Sequence, residues 1–145
     1  MARGVLRTPP VIDSPDRSRR PQPRVLVVDD ELAARRALAL LLAEEGYDVD
    51  VAASGEEALD TLARSTPDAL LTDVRMPGMS GIELFQRARA AAPDLPVIVM
   101  TAYGADCDAA RAADAGADSF LTKPLDFDAL GVALRRAIEA RDRNR

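Results

Sequence analysis

Short apolar runs alternate with helical patterns through most of this chain, and that alternation limits the folds it can adopt. Runs of strand length begin at Arg24, Ala69 and Pro96, and apolar residues at helical spacing follow them. Two S-x-x-E sequences, Ser54–Glu57 and Ser80–Glu83, have the form of a capping box that opens a helix. The pattern amounts to five β/α repeats, which predict an α/β fold with a parallel sheet and helices on both faces.

The predicted elements occupy about 120 residues after Pro23. The strands are expected over five segments of the chain: 24–29, 48–51, 69–73, 96–100 and 119–122. The helices are expected between and after them: 31–45, 54–64, 80–92, 105–115, and from Asp126 onwards. Strands buried on both faces of such a sheet are apolar throughout, as the first, third and fourth strands are.

Composition indicates one soluble domain. The chain has 145 residues, of which 48% are hydrophobic and 30% charged, and no apolar run approaches the ~20 residues that a membrane helix needs. Its lone cysteine, Cys107, excludes an internal disulfide and favours a reduced, cytoplasmic location. The net charge of −5 argues against nucleic acid as the main partner of the whole domain.

The charge is unevenly distributed, and this divides the chain into three parts. Residues 1–23 are rich in proline and arginine, and they are expected to form a disordered arm. A basic contact arm for an acidic partner is the alternative interpretation. Residues 24–140 are predicted to form the folded domain, and residues 141–145 a short polar tail.

Polar residues stand where the predicted strands end. Asp29 and Asp30 follow the first strand, Asp73 ends the third, Thr101 follows the fourth and Lys123 the fifth. Each has an ordinary explanation alone, as a helix cap, a turn residue, a β-former or a solvated charge. Parallel strands bring all four ends to one edge, however, and clustered carboxylates repel one another unless a cation relieves them. Lys123 is also the only lysine, since every other basic residue is arginine.

The expected cation is Mg²⁺. Carboxylates are hard oxygen ligands, and the chain has no histidine and only one cysteine to favour a softer metal. A threonine hydroxyl and a lysine ammonium beside such a metal would make a site for a phosphate group.

With these residues in this order, the chain resembles the receiver domain of two-component response regulators. The matching segments are Asp29-Asp30, DVRMPGMSG from Asp73, Thr101-Ala102 and Lys123-Pro124, and the resemblance covers about residues 24–140. It implies a stand-alone, CheY-like receiver with a flavodoxin-like (βα)5 fold and strand order 2-1-3-4-5. It also implies a cis bond before Pro124.

The resemblance implies a role for each site residue. Asp73 would accept a phosphoryl group. Asp30, Asp73 and the backbone carbonyl of Arg75 would ligate Mg²⁺ directly, and Asp29 would do so through a water molecule. Thr101 and Lys123 would contact the phosphoryl oxygens, and Phe120 would be the aromatic switch residue.

The resemblance also implies partners. The phosphoryl donor would be a histidine kinase or a histidine phosphotransfer protein, and the signal would pass to a downstream protein effector. The chain would be a phosphoacceptor signalling domain rather than an enzyme, with no membrane contact and no direct binding to DNA.

Three other functions stay open. An aspartate-nucleophile phosphatase typically needs a second acid two residues after the nucleophile, where this chain has Arg75. A flavodoxin-like nucleotide binder needs a phosphate loop after the first strand, where Asp29, Asp30 and Glu31 would repel phosphate. A pseudo-receiver would act by protein contact alone, without phosphorylation.

Overall fold

The chain forms a five-stranded parallel sheet with the predicted strand order. The computed structural model describes residues 22–102, 116 and 119–144. Its strands are β1 (Arg24–Val28), β2 (Asp48–Ala52), β3 (Ala69–Asp73), β4 (Val97–Thr101) and β5 (Ser119–Thr122). They pair in parallel in the order β2-β1-β3-β4-β5, which confirms the flavodoxin-like prediction.

Four helices connect or follow these strands within the described residues. They are α1 (Leu32–Glu44), α2 (Gly55–Arg64), α3 (Gly81–Ala91) and α4 (Phe127–Arg143). None of these four has both the length and the apolar character needed to cross a bilayer. The helix predicted over 105–115 lies outside the described residues, as does the predicted arm apart from its last two residues.

The capping residues begin the helices where the sequence predicts. The side chain of Ser54 accepts a hydrogen bond from the backbone N–H of Glu57, and Ser80 does the same for Glu83, each at 3.1 Å. The carboxylate of Asp126 accepts two backbone N–H bonds at the start of α4. These side chains satisfy donors that a helix leaves open in its first turn.

The core consists of one apolar layer on each face of the sheet. On one face, α2 and α3 pack on alternate strand residues, and the largest buried members are Leu26, Leu70, Leu84 and Phe85. On the other face, α1 and α4 cover the intervening strand residues, with Leu42, Leu71, Ile98, Met100, Leu130 and Leu134 fully buried. The central strands are therefore held from both sides, and their carboxyl ends have fixed positions.

Helix α4 continues to Arg143, three residues past residue 140, where the sequence predicts that the folded domain ends. The reason is the guanidinium of Arg141, which is almost buried and forms ion pairs with Asp68 at 2.9 Å and Asp142 at 2.8 Å. It also donates to the backbone carbonyl of Asp68 at 3.2 Å. The helix end is thus attached to the segment that leads into β3.

Gly81, the first residue of α3, lies against the backbone of Asp73. A Cβ atom added to Gly81 would stand 1.9 Å from the Asp73 carbonyl oxygen, which is far inside van der Waals contact. The N–H of Gly81 donates to the carbonyl of Val74 at 2.7 Å. The turn after β3 is therefore closed tightly, and only glycine fits at its far end.

We predict that Gly81→Ala lowers the free energy of unfolding by about 3 kcal/mol, because the added methyl group must push the end of β3 away from α3. The control is Gly131→Ala within α4, where an added Cβ would meet only the mobile guanidinium end of Arg135 at 3.5 Å. That variant should gain about 0.5–1 kcal/mol from helix propensity. Denaturant unfolding followed by circular dichroism measures both, and equal stability of Gly81→Ala and wild type would contradict the steric argument.

Candidate functional site

Polar side chains from four strands meet at the carboxyl edge of the sheet. Asp29 directly follows β1, Asp73 ends β3, Thr101 ends β4, and Lys123 directly follows β5. Because these strands are neighbours in the order β1-β3-β4-β5, their ends lie side by side. Asp29 and Lys123 are 94 positions apart in the sequence and are nevertheless in contact. The edge where parallel strands end is the usual place for a site in this class of fold.

Three carboxylates form a cluster at this edge. One oxygen from each of Asp29, Asp30 and Asp73 lies within 4.8 Å of the other two. Asp29 is buried, Asp73 is partly buried and Asp30 is exposed. The cluster therefore has a closed inner side and an open outer side through which an ion or a ligand has access.

Lys123 is the cation that faces this cluster. Its Nζ atom lies 3.1 Å from Oδ2 of Asp29 and 3.3 Å from Oδ2 of Asp73, and the side chain is 30% exposed. The N–H of Lys123 donates to the carbonyl of Thr101 at 2.7 Å, which anchors the start of the loop after β5. The bond between Lys123 and Pro124 is cis.

These surroundings change the proton affinity of both partners. Burial raises the pKa of the Asp73 carboxyl above its ordinary value of 3.8, and the charge of Asp29 raises it further, while Lys123 opposes the rise without cancelling it. Burial acts to lower the pKa of Lys123, but the hydrogen bonds and charges of Asp29 and Asp73 outweigh it and raise that pKa above 10.5. Lys123 therefore stays charged, and additional positive charge beside Asp73 would favour its ionised form.

Two hydrogen bonds to Asp29 stabilise the loop between β1 and α1. Oδ1 of Asp29 accepts a hydrogen bond from the N–H of Glu31 at 3.0 Å. Nη1 of Arg35, one turn into α1, donates to the carbonyl of Asp29 at 2.8 Å. These contacts fix the backbone that carries two of the three clustered carboxylates.

Thr101 and Phe120 occupy different environments. Thr101 is buried, and its hydroxyl lies 3.5 Å from the backbone carbonyl of Leu121 on β5, at the limit of a hydrogen bond. Phe120 is 43% exposed. Phe120 therefore lies at the surface rather than beneath Thr101. Arg75, two residues after Asp73, is also exposed.

Comparison with known proteins identifies the family. The family model of the response regulator receiver domain matches residues 25–135. The chain belongs to the response regulator receiver domain family. The match begins in β1, ends within α4 and so includes every residue of the edge described above.

Individual relatives agree with the family model. The receiver domain is 42% identical over 112 residues to the response regulator MprA of Mycobacterium avium, a match that covers 77% of this chain and 49% of the relative. It thus spans about half the length of the curated relatives it matches. A response regulator receiver domain protein from Clostridium thermocellum superposes with a TM-score of 0.81 at 29% identity, covering 85% of this chain and 99% of that one. A CheY-like receiver domain protein from Methanospirillum hungatei gives 0.80 at 27% identity, covering 86% and 99%.

Two residues that support the receiver site were not singled out from the sequence. In the sequence, Gly81 is only the second residue of a capping box, and its contact with the Asp73 carbonyl depends on how α3 returns to β3. Arg35 is one of 18 arginines, and nothing in the helical pattern distinguishes it from its neighbour Arg36. Only the fold shows that Arg35 reaches the backbone of Asp29.

We predict that Asp73→Asn raises the melting temperature of the metal-free receiver domain at neutral pH by a few degrees. The raised pKa of Asp73 means that its surroundings disfavour the charge. About 1 kcal/mol corresponds to roughly 4 °C in a domain of about 120 residues. The control is Asp60→Asn, on an exposed side of α2, which should change little.

The difference in melting temperature between Asp73→Asn and wild type should change with pH in a defined direction. Between the unfolded value near 3.8 and the raised native pKa of Asp73, this carboxyl binds more protons in the folded protein than in the unfolded chain, so its contribution to wild-type stability rises as pH falls. The advantage of Asp73→Asn should therefore shrink as pH falls through the native pKa. A lower melting temperature for Asp73→Asn at neutral pH would show that attraction to Lys123 outweighs burial.

Proposed function

We propose that this receiver domain accepts a phosphoryl group on Asp73, with Mg²⁺ as cofactor, from a histidine kinase or a histidine phosphotransfer protein. The observation that carries the proposal is the convergence of three carboxylates and one ammonium at the carboxyl edge of the sheet. Family membership supports the same chemistry. The phosphorylated protein then signals to a downstream protein effector through its surface.

The three carboxylates fit a Mg²⁺ ion. This ion takes six oxygen ligands at about 2.0–2.1 Å, so two ligands on opposite sides stand roughly 4.2 Å apart. The oxygens of Asp29, Asp30 and Asp73 lie within 4.8 Å of one another, which matches that spacing. The backbone carbonyl of Arg75 and water complete the proposed ligand set. The bound ion would supply positive charge that offsets the charge of the incoming phosphoryl group.

The transfer itself exchanges one phosphorus bond for another. A carboxylate oxygen of Asp73 attacks phosphorus, a P–O bond forms, and the P–N bond to the donor histidine breaks. The imidazole nitrogen leaves with the bonding electron pair, and the product on Asp73 is an acyl phosphate. Such transfers pass through a loose transition state, so positioning and charge neutralisation do most of the catalysis.

Lys123 is suited to neutralise a phosphoryl oxygen. Its ammonium already stands 3.3 Å from the Asp73 carboxylate, and it has a flexible stem that can follow the transferred group. Arginine carries a planar, branched guanidinium, which needs more room beside a metal ion. This difference accounts for the presence of a single lysine in a chain whose other basic residues are all arginine.

Thr101 and Phe120 are the proposed switch. Within the described residues, the Thr101 hydroxyl contacts the Leu121 carbonyl at 3.5 Å, and so long a hydrogen bond opposes little of a turn towards a phosphoryl oxygen. That movement would vacate space for the Phe120 ring, which is at the surface before phosphorylation. The protein surface at β5 would then change and be read by a partner.

We predict that acetyl phosphate with Mg²⁺ adds one phosphoryl group to the wild-type protein and none to Asp73→Asn. The asparagine amide lacks the nucleophilic carboxylate oxygen, while Asp60→Asn should be modified like wild type. Intact-mass spectrometry over time measures the adduct, and chelation with EDTA should suppress it. An adduct on Asp73→Asn would place the acceptor elsewhere.

We also predict that Mg²⁺ raises the melting temperature of the wild-type protein, because a ligand that binds only the folded form stabilises it by about 2.7 kcal/mol at a hundredfold excess over Kd. Asp30→Ala should abolish most of that increase. Glu31→Ala, which removes the adjacent exposed carboxylate outside the cluster, should keep it. An equal response of Asp30→Ala and wild type would mean that Mg²⁺ binds at another place.

A further inference from the structure

Thr72, the residue before Asp73, is a buried polar residue in an apolar setting. Its relative exposure is 0%, and it lies in β3 between Val28 of β1 and Val99 of β4, which are its partners in the strand register. Valine has the same shape as threonine and would suit this position for packing alone. Burying a hydroxyl is unfavourable unless it forms a hydrogen bond, so packing does not explain this threonine.

The hydroxyl of Thr72 donates to the backbone carbonyl of Asp73 at 2.9 Å. The Asp73 carbonyl and the N–H of Val74 belong to the same peptide group, and this N–H donates to the carbonyl of Met100 on β4 at 3.0 Å. Because a peptide group is planar and rigid, these two hydrogen bonds hold both of its edges. On the side towards α3, the close approach of Gly81 leaves this carbonyl little room to move.

Holding this peptide also orients the Asp73 carboxylate. The peptide plane sets one backbone torsion of Asp73, and the side-chain rotamers open to a residue depend on its backbone torsions. A rotation of the peptide would therefore move the carboxylate relative to Asp29 and Lys123. In reactions that depend on position, a displacement of 1 Å can cost about a hundredfold in rate.

We propose that Thr72 is a positioning residue for phosphoryl transfer, and that its hydroxyl holds the Asp73 carbonyl so that the Asp73 carboxylate keeps its place in the cluster. This inference rests on the proposed function of Asp73. Thr72 makes no contact with the donor and acts only through the backbone of its neighbour.

Two substitutions separate the hydroxyl from the packing. Thr72→Val keeps the shape and removes the hydrogen bond, whereas Thr72→Ser keeps the hydroxyl and removes a methyl group. We expect Thr72→Val to melt lower, because the Asp73 carbonyl loses its donor, and to be phosphorylated by acetyl phosphate about tenfold more slowly at saturating Mg²⁺. Thr72→Ser should also melt lower, because it leaves a small void, but it should be phosphorylated within about twofold of the wild-type rate. Losses of stability in both variants with a loss of rate in only one are not expected of a residue with a merely structural role.

A metal titration without any phosphoryl donor gives a second readout. If the Asp73 carboxylate is displaced, the Kd for Mg²⁺ from the melting shift should rise several-fold in Thr72→Val and stay near the wild-type value in Thr72→Ser. A wild-type rate and a wild-type Kd in Thr72→Val would overturn the inference, and so would equal losses in both variants. If the wild-type protein accepts no phosphoryl group, the proposed function fails, while the Mg²⁺ comparison still decides whether Thr72 positions Asp73.

Discussion

Mutual repulsion among three carboxylates is the constraint around which this receiver domain is organised. Asp29, Asp30 and Asp73 are brought together by the strand order, and no rearrangement of loops could separate the first from the last. Lys123 compensates part of that charge from the far side of β4. Burial is the main cause of the raised pKa of Asp73, the charge of Asp29 adds to it, and Lys123 does not cancel the two, so further positive charge beside this carboxyl would favour its ionised form.

The surrounding backbone keeps the charged groups in place against this repulsion. Arg35 holds the carbonyl of Asp29, Thr72 holds the carbonyl of Asp73, and Gly81 admits α3 close behind the same carbonyl. Each contact is made to the main chain of an acidic residue and not to its carboxylate. The carboxylate of Asp73 contacts Lys123, and it is the group to which we assign the proposed metal ion and phosphoryl donor.

The architecture could be predicted from the sequence because its signals are local. Apolar runs mark the buried strands, and Ser54, Ser80 and Asp126 cap helices through bonds to residues two or three positions away. The convergence of strand ends then follows from parallel pairing. Contacts between a side chain and distant backbone could not be predicted in this way. Arg141 extends α4 through an ion pair with Asp68, 73 positions earlier, and no periodicity in the last residues indicates it.

The position of Lys123 has a mechanical consequence. β5 is an edge strand of the described sheet and pairs only with β4. Lys123 follows β5, and its side chain crosses the end of β4 to contact Asp73, which ends β3, and Asp29, which follows β1. A strand paired on one side only is the least costly part of a sheet to displace. The carboxylates at the middle of the sheet are therefore connected through one side chain to an edge strand, on which Phe120 is exposed.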